Sequence, residues 1–397
     1  MFKPLLAIIA GLLLCASAAA QVELRDDHPD RYVVVRGDTL WDISDRFLQK
    51  PWLWPEIWQV NPQIENPHLI YPGDEINLIY IDGEPRLSLR RGRKLSPHPR
   101  RTSLAEAIEP INLNDIRHYL DKRTILDAAE LENLPYVVAM EESYLAATEG
   151  HRVYVRGLDN AAAGESFAVV RPSVEFRETP ETWPYDEATS FRPETREWKY
   201  PAERSIGDFV SRFWTEKVLG AKFKNTRVLG YEVIQTATAE VLIAGDPTTM
   251  LLTSSELEVL PGDLIIPLFT SNYDLEYFPH SPETVPEHTQ VIALSNALFG
   301  VGPTQVVAIN KGWEDGIEHG DVFATYRPGF LIRDEIKYPR DDVKTFFSKN
   351  RRKQATVQLP DEYSSHVMIF KSHERISYGL VMRGKQAVRV LDKLKMP

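Results

Sequence analysis

Cysteine is nearly absent from this chain: Cys15 is the only one in 397 residues. It follows Leu14, where a lipid-modified cysteine would want a small residue. Once the first twenty residues are removed, as expected below, no disulfide, thiolate metal site or cysteine nucleophile is available. Long apolar runs are missing too. Nothing after residue 20 approaches the ~18 residues that a membrane-spanning helix needs. Positive charge is in deficit, with 46 Lys and Arg against 57 Asp and Glu and a net charge of −11. Nucleic acid is therefore excluded as the main partner, because a phosphate backbone requires a basic face. The signatures of common hydrolases and nucleotide-binding enzymes are also absent: there is no His-Glu-x-x-His, no Gly-x-Ser-x-Gly and no glycine-rich phosphate loop. His366 and His373 stand apart without a third metal ligand nearby in sequence. Glu141-Glu142 and Asp341-Asp342 would point to opposite faces of a strand. The expectation is no catalytic residue, no metal and no cofactor, although two carboxylates brought together from distant positions would leave no such local trace.

At the N-terminus, Lys3 precedes the apolar stretch Leu5–Leu14, and Ala18-Ala19-Ala20 follows. This pattern predicts a secretory signal peptide over residues 1–20, cleaved after Ala20, with an uncleaved anchor as the alternative. The mature chain is then exported, with no membrane span of its own. Its 43% apolar and 26% charged residues are ordinary for a folded protein of two to four domains.

Tryptophan is concentrated. Of eight in the chain, Trp52, Trp54 and Trp58 fall within "PWLWPEIW" at 51–58, and Trp41 lies just upstream. Around them, residues 32–80 predict strand, helix, helix, strand. Tyr32–Val35 reads as a strand, and Asp38 is placed to cap a helix to Phe47 with Leu40, Ile43 and Phe47 on one side. Pro55 suits the start of a second helix, Pro72-Gly73-Asp74 is a turn, and Glu75–Ile79 closes the unit. A domain this small has few core positions, so Trp54 and Trp58, four apart, are expected to be core. Trp41 and Trp52 are the candidate aromatic platform, with Trp52 the more exposed.

The ordered set Gly37-Asp38-Thr39-Leu40, Asn61-Pro62 and Asn66-Pro67-His68-Leu69-Ile70-Tyr71-Pro72-Gly73-Asp74 resembles the LysM domain, a βααβ module that binds N-acetylglucosamine-containing glycans. The resemblance covers about one eighth of the chain and departs from the shortest modules in a longer helix–helix connection. It implies a sugar groove between the loop after the first strand and the loop before the last. The implied glycan-binding residues are Gly37, Asp38, Thr39, Leu40, Asn66, Pro67, His68, Leu69, Ile70 and Tyr71. Backbone groups there would pair with the acetamide, while Leu40, Leu69 and Ile70 would pack on it. The same residues also serve as an ordinary turn and helix cap, and both roles can coexist.

Beyond residue 84, "PRLSLRRGRKLSPHPRR" at 85–101 carries seven Lys or Arg and no acid. It reads as a basic linker, either solvated or touching an anionic envelope polymer or lipid. Residues 103–135 have helical spacing. The remainder contains an internal duplication. "GESFAVVRP" at 164–172 matches "GDVFATYRP" at 320–328, and "LEVLPGDLIIP" at 257–267 parallels "AVRVLDKLKMP" at 387–397 with a one-residue slip. Two β modules are expected, 136–267 with an insertion at 173–229 and 288–397. The insertion includes an amphipathic helix from Ser205 that stops at Gly220. "NKGWEDGIEHGDVF" at 310–323 is expected to form turns, with Trp313 available to a partner.

The fold class expected is α+β: an N-terminal βααβ module, a short helical segment, then two duplicated, mainly-β, small barrel-like modules. The function expected from the resemblance is a non-catalytic, peptidoglycan-binding protein of the Gram-negative periplasm; its β modules are expected to be a scaffold or a partner-binding region, with an envelope protein as the candidate partner. A wall-remodelling hydrolase targeted by the LysM module and an assembly factor for an envelope machine are the alternatives.

Overall fold

A computed structural model describes residues 22–58, 70–90, 119, 122–159, 161–178, 214–216, 227–268, 278–295, 297, 299–329, 331–334, 336–337 and 356–397. The chain divides into two compact units, residues 1–111 and 112–397.

In the first unit, β1 (Arg31–Val33) pairs with β2 (Glu75–Ile81), which pairs in turn with β3 (Glu84–Arg90), all antiparallel. Between β1 and β2 lie α1 (Leu40–Phe47), one 3-10 turn (Pro51–Leu53) and α2 (Trp54–Trp58). Thr39, not Asp38, caps α1: its hydroxyl accepts from Asp42 N at 3.1 Å, and Asp42 returns the contact to Thr39. Residues 23–25 are tied to the module, since Arg25 N donates to Phe47 O and Gln49 N to Glu23 O, each at 2.9 Å. The first six residues of the expected basic linker, 85–90, belong to a strand. Asp82 (φ 53°) and Gly83 (φ 86°) make a tight turn that folds β3 back onto β2. Residues 91–101 lie outside the described residues.

The second unit begins with β4 (Arg123–Leu126) and α3 (Ala128–Asn133), where one continuous helical segment was expected. Residues 103–118 of that segment lie outside the described residues. Six strands follow: β5 (Tyr136–Met140), β6 (Arg152–Arg156), β7 (Ser166–Arg177), β9 (Val228–Ile243), β10 (Thr248–Ser255) and β11 (Leu264–Pro267). They pair in the ring β5-β6-β10-β9-β7-β11 and back to β5, a closed barrel. The strand β7 runs past the expected module edge at residue 173. Pro172, which cannot donate to a ladder, sits beside a register shift between Pro172 and Val174.

The second barrel repeats the first. Its strands are β12 (Val291–Ser295), β13 (Val306–Ile309), β14 (Val322–Arg327), β17 (Glu362–Ser372), β18 (Ser377–Val381) and β19 (Lys393–Lys395). They join as β12-β13-β18-β17-β14-β19, closed by the bridge between Gln290 and Lys393. A short hairpin of β15 (Leu331–Arg333) and β16 (Thr356–Gln358) rises between β14 and β17. Registers fix the equivalences: Phe167 pairs with Ala239 where Phe323 pairs with Val367, and Ala147 bridges Val259 where Val301 bridges Val388. The two barrel interiors therefore match position for position, as in Val137/Val291, Val155/Ile309, Val241/Ile369 and Ile265/Leu394. Asp263 corresponds to Asp392, and the copies stay in step through Ile266 and Lys395, so the slip falls just before the final proline.

One turn recurs in both units. The carboxylates of Asp74, Asp263, Asp321 and Asp392 each accept from the backbone N three residues earlier, at 3.0, 2.9, 2.8 and 3.0 Å. The residue before each aspartate has positive φ; it is Gly73, Gly262, Gly320 and, the exception, Leu391. The barrels differ on one outer face. In the first, Ala168, Val170, Val233, Leu264 and Ile266 are buried beneath Leu131 of α3. In the second, Lys393 and Tyr326 stand where Leu264 and Val170 stand in the first. The insertion of the first barrel also supplies a strand to the second: β8 (Trp214–Glu216) pairs with β12. Residues 214–216 are thus strand where the amphipathic helix was expected to continue. The rest of that segment lies outside the described residues.

Candidate functional site

Two loops meet at one end of the first unit. Val34 N donates to Asp74 O at 2.9 Å, and Gly73 N donates back to Val34 O at 2.8 Å. These reciprocal bonds pin the stretch after β1 to the turn before β2. Each loop is also stiffened from within. Asp38 N donates to Val35 O at 3.2 Å, and Gly37 at φ 95° supplies the conformation such a turn demands. The Asp38 carboxylate accepts from Tyr32 OH at 2.9 Å and Val35 N at 2.8 Å. Burial, and then this bond to a carboxylate, raise the Tyr32 phenol above its usual range. The Arg46 guanidinium lies over the Tyr32 ring, 4.6 Å from its centroid. In the opposite loop, Tyr71 N donates to Asp74 Oδ2.

The side chains expected to touch sugar divide unevenly. Gly37 is exposed, while Asp38, Thr39 and Tyr71 are half-buried, all at this end of the module. Leu40 and Ile70 are 1% and 0% exposed, so they form the floor of the domain core and do not face a ligand. Asn66, Pro67, His68 and Leu69 lie outside the described residues. The aromatic platform is corrected outright: Trp41 and Trp52 are 3% and 2% exposed, as buried as Trp54 and Trp58. Their rings pack at 6.4 Å between centroids. Each such ring removes ~150–250 Å² from water, which a core this small requires of all four. The residue that was missed is Val35, 53% exposed beside Gly37. Its place at the end of a β-rich run suggested a strand, and only its turn geometry marks it as available. Val35 and Tyr71 lie on the two pinned loops, and an apolar side chain, a phenol and backbone donors and acceptors are the groups a neutral glycan requires.

In the second unit the conspicuous charged groups are engaged with one another. Arg171, which the repeat shares with Arg327, donates Nε and Nη2 to the two carboxylate oxygens of Asp263 at 2.6 and 2.7 Å. Burial raises the Asp263 carboxyl despite this partner. In the second copy Arg327 donates to the carbonyl of Ala387, the position equivalent to Glu258, whose carbonyl accepts from Arg171. The Asp392 carboxyl there is raised to about 6, chiefly by burial. His366 and His373 are driven to about 4 and about 3 by burial, and His366 meets Tyr363 OH at 2.8 Å. Among the described residues no group of three His, Cys, Asp or Glu side chains is arranged to hold a metal ion. No described helix is long and apolar enough to cross a membrane. Trp313 is 60% exposed on a 3-10 turn whose base is fixed by Trp313 N donating to His373 O at 2.8 Å.

Residues 32–78 match the LysM domain family, a peptidoglycan- and chitin-binding module. A stretch of 60 residues is 35% identical to the uncharacterized protein YqbP of Bacillus subtilis (strain 168). That stretch takes in 13% of this chain and 27% of YqbP, so the similarity spans about a quarter of that relative's length.

Proposed function

We propose that this chain is a non-catalytic, peptidoglycan-binding protein of the Gram-negative periplasm, delivered there by its cleaved leader. The LysM module grips N-acetylglucosamine-containing glycan strands, and the two barrels hold an envelope protein partner. The observation that carries the glycan reading is the reciprocal pairing of Val34 with Gly73 and Asp74, which holds both loops of the family's groove in a fixed relation. Such preorganisation lowers the ordering cost of binding a flexible polymer. Support for partner recruitment comes from the duplication. Leu145 and Phe299, each two residues before the matched bridge positions Ala147 and Val301, are 89% and 70% exposed. Two large apolar side chains left in water at one repeated position suit a contact surface.

One module of this size offers a small contact, and retention on the wall depends on many glycan repeats. The experiment is co-sedimentation of residues 21–397 with purified sacculi, beside a Val35→Glu/Tyr71→Ala variant whose circular dichroism matches wild type. The reading expects wild type in the pellet and the variant in the supernatant. If both pellet equally, these loops are not the grip; if neither pellets, the glycan reading is lost. A clearing zone in a sacculus zymogram would overturn the non-catalytic part.

A further inference from the structure

The segment that opens the second unit touches both barrels, and its ties are unusual for a connector. Tyr119 is 3% exposed, its ring edge-on to Phe370 and Tyr378 of the second barrel at 6.1 and 5.8 Å. Four residues on, Arg123 pairs with Glu232 on β9 of the first barrel. The strand β4 that begins there lies antiparallel along β9, with Ile125 opposite Glu232 and Leu126 opposite Tyr231. From the second barrel, Lys371 donates Nζ to the carbonyls of Tyr119 and Arg123 at 3.0 and 2.6 Å. Glu232 also accepts from Ser173 Oγ at 2.8 Å and from Tyr378 OH at 2.9 Å.

Glu232 and Lys371 are 0% and 3% exposed. Burying an ion costs several kcal/mol unless charge and hydrogen bonds are supplied to it. Here one barrel contributes the buried anion and the other the buried cation. A single short segment supplies the guanidinium for the first and two carbonyls for the second. Backbone pairing along a sheet edge with side chains seated in flanking recesses is the physics of peptide binding by strand addition. The sheet is shaped to receive it. At Gly230 a Cβ would stand 2.6 Å from Ile125 Cγ2, 3.3 Å from the Leu126 carbonyl oxygen and 3.6 Å from Ile376 Cδ1, so glycine leaves room where strap and both barrels converge. Gly230 has no positive φ, so steric room is the reason for glycine there.

We propose that the seam between the barrels is a peptide-binding site for a segment carrying an aromatic residue and an arginine four positions later, and that Tyr119 and residues 122–126 of the chain itself occupy it as a strap. Seated, the strap gives Glu232 a guanidinium counter-charge and Lys371 two carbonyl acceptors, and ties the barrels together. Lifted, it returns both ions to water, and the same segment supplied as a free peptide should take its place.

Hydrogen exchange on residues 21–397 tests this. Gly230→Ala should push out Ile125 and speed exchange at 124–126, 231–234 and 376–380 together by about tenfold or more. Adding Ile125→Ala in the same chain should restore protection. So should a peptide of residues 115–128 bearing Ile125→Ala, supplied to the Gly230→Ala protein. The same peptide with Arg123→Ala in addition should not. Unchanged protection in either barrel, or equal rescue by both peptides, overturns the proposal. If Gly230→Ala does not fold, wild type still decides. The amides at 124–126 should exchange about a hundredfold faster than those of Val169 and Val241, through opening of the strap alone. Exchange at the rate of the barrel cores would overturn it.

Discussion

Acid should destabilise the barrel unit through the histidines that the fold holds below their ordinary range, His319, His366 and His373, and His373 gives the cleanest measure. Its ring is buried edge-on to Tyr378 at 5.6 Å, with Lys371 and His319 adding positive potential. Burial first, and then those charges, hold it near 3 against an ordinary 6.5. A histidine depressed in the folded state stays neutral while the unfolded chain takes up its proton. Stability is therefore full above about pH 6.5 and is lost as pH falls from there towards 3. Between pH 7 and pH 5 the loss is about 1.9 kcal/mol for His373, and about the same for His366 with its folded value near 4. Asp392 acts oppositely. Burial raises its carboxyl to about 6, so acidification relieves it and returns about 1.3 kcal/mol over the same interval. The assay is urea unfolding at pH 7 and pH 5, followed by far-ultraviolet circular dichroism of the sheets, on wild type and His373→Gln. Wild type should lose about 2 kcal/mol more than the variant on acidification, equivalent to roughly 4–8 °C in melting temperature. Equal losses in the two proteins would show that this ring does not titrate as its burial requires.

Arg171→Met leaves the 1%-exposed Asp263 without its guanidinium and should cost about 3–5 kcal/mol in denaturant unfolding; a cost below 1 would mean that water or another donor replaces it. Thr39→Ala removes the α1 cap and should lower the stability of the first unit by about 1 kcal/mol, read by tryptophan fluorescence. The barrel transition should not move. Gly83→Val puts a branched side chain at φ 86°, costing about 1–2 kcal/mol, and should release the amides of β3 to exchange. Retained protection at 84–90 would show that β3 is held by something other than its turn.

Legibility followed the reach of each interaction. The α1 helix, the Pro-Gly-Asp turn and the repeat marked by Gly164/Gly320 and Arg171/Arg327 are local patterns, and each is readable in a few residues. The turn at Asp82-Gly83 is equally local, yet the arginines after it argued for a solvated linker. Their alternation along β3 is visible only once Leu87 is seen to be buried. The strand at 123–126 has helical spacing in sequence and becomes β because β9 offers an edge and Glu232 a partner for Arg123, 109 residues away. The burial of Trp52 likewise depends on a neighbour, Trp41, whose position the intervening turn decides. In the candidate site, the loop identities were legible from Gly37 and Gly73. Which side chains face outward was not, because Val35 and Leu40 differ in tertiary surroundings rather than in chemistry.

The hairpin also fixes where the chain leaves the sugar-binding module. Without β3 the polypeptide would depart from Ile81, at the far end of β2. With it, Arg90 comes back level with Glu75, beside Asp74 and the loops pinned to Val34. The cationic run that starts at Arg90 thus sets out from the end of the module at which we propose the glycan docks. Attraction between those charges and acidic groups of the wall would add to the grip at low salt and fade once the screening length falls to about 8 Å near physiological ionic strength. Affinities taken in dilute buffer would then credit the groove with holding power that belongs to its exit strand.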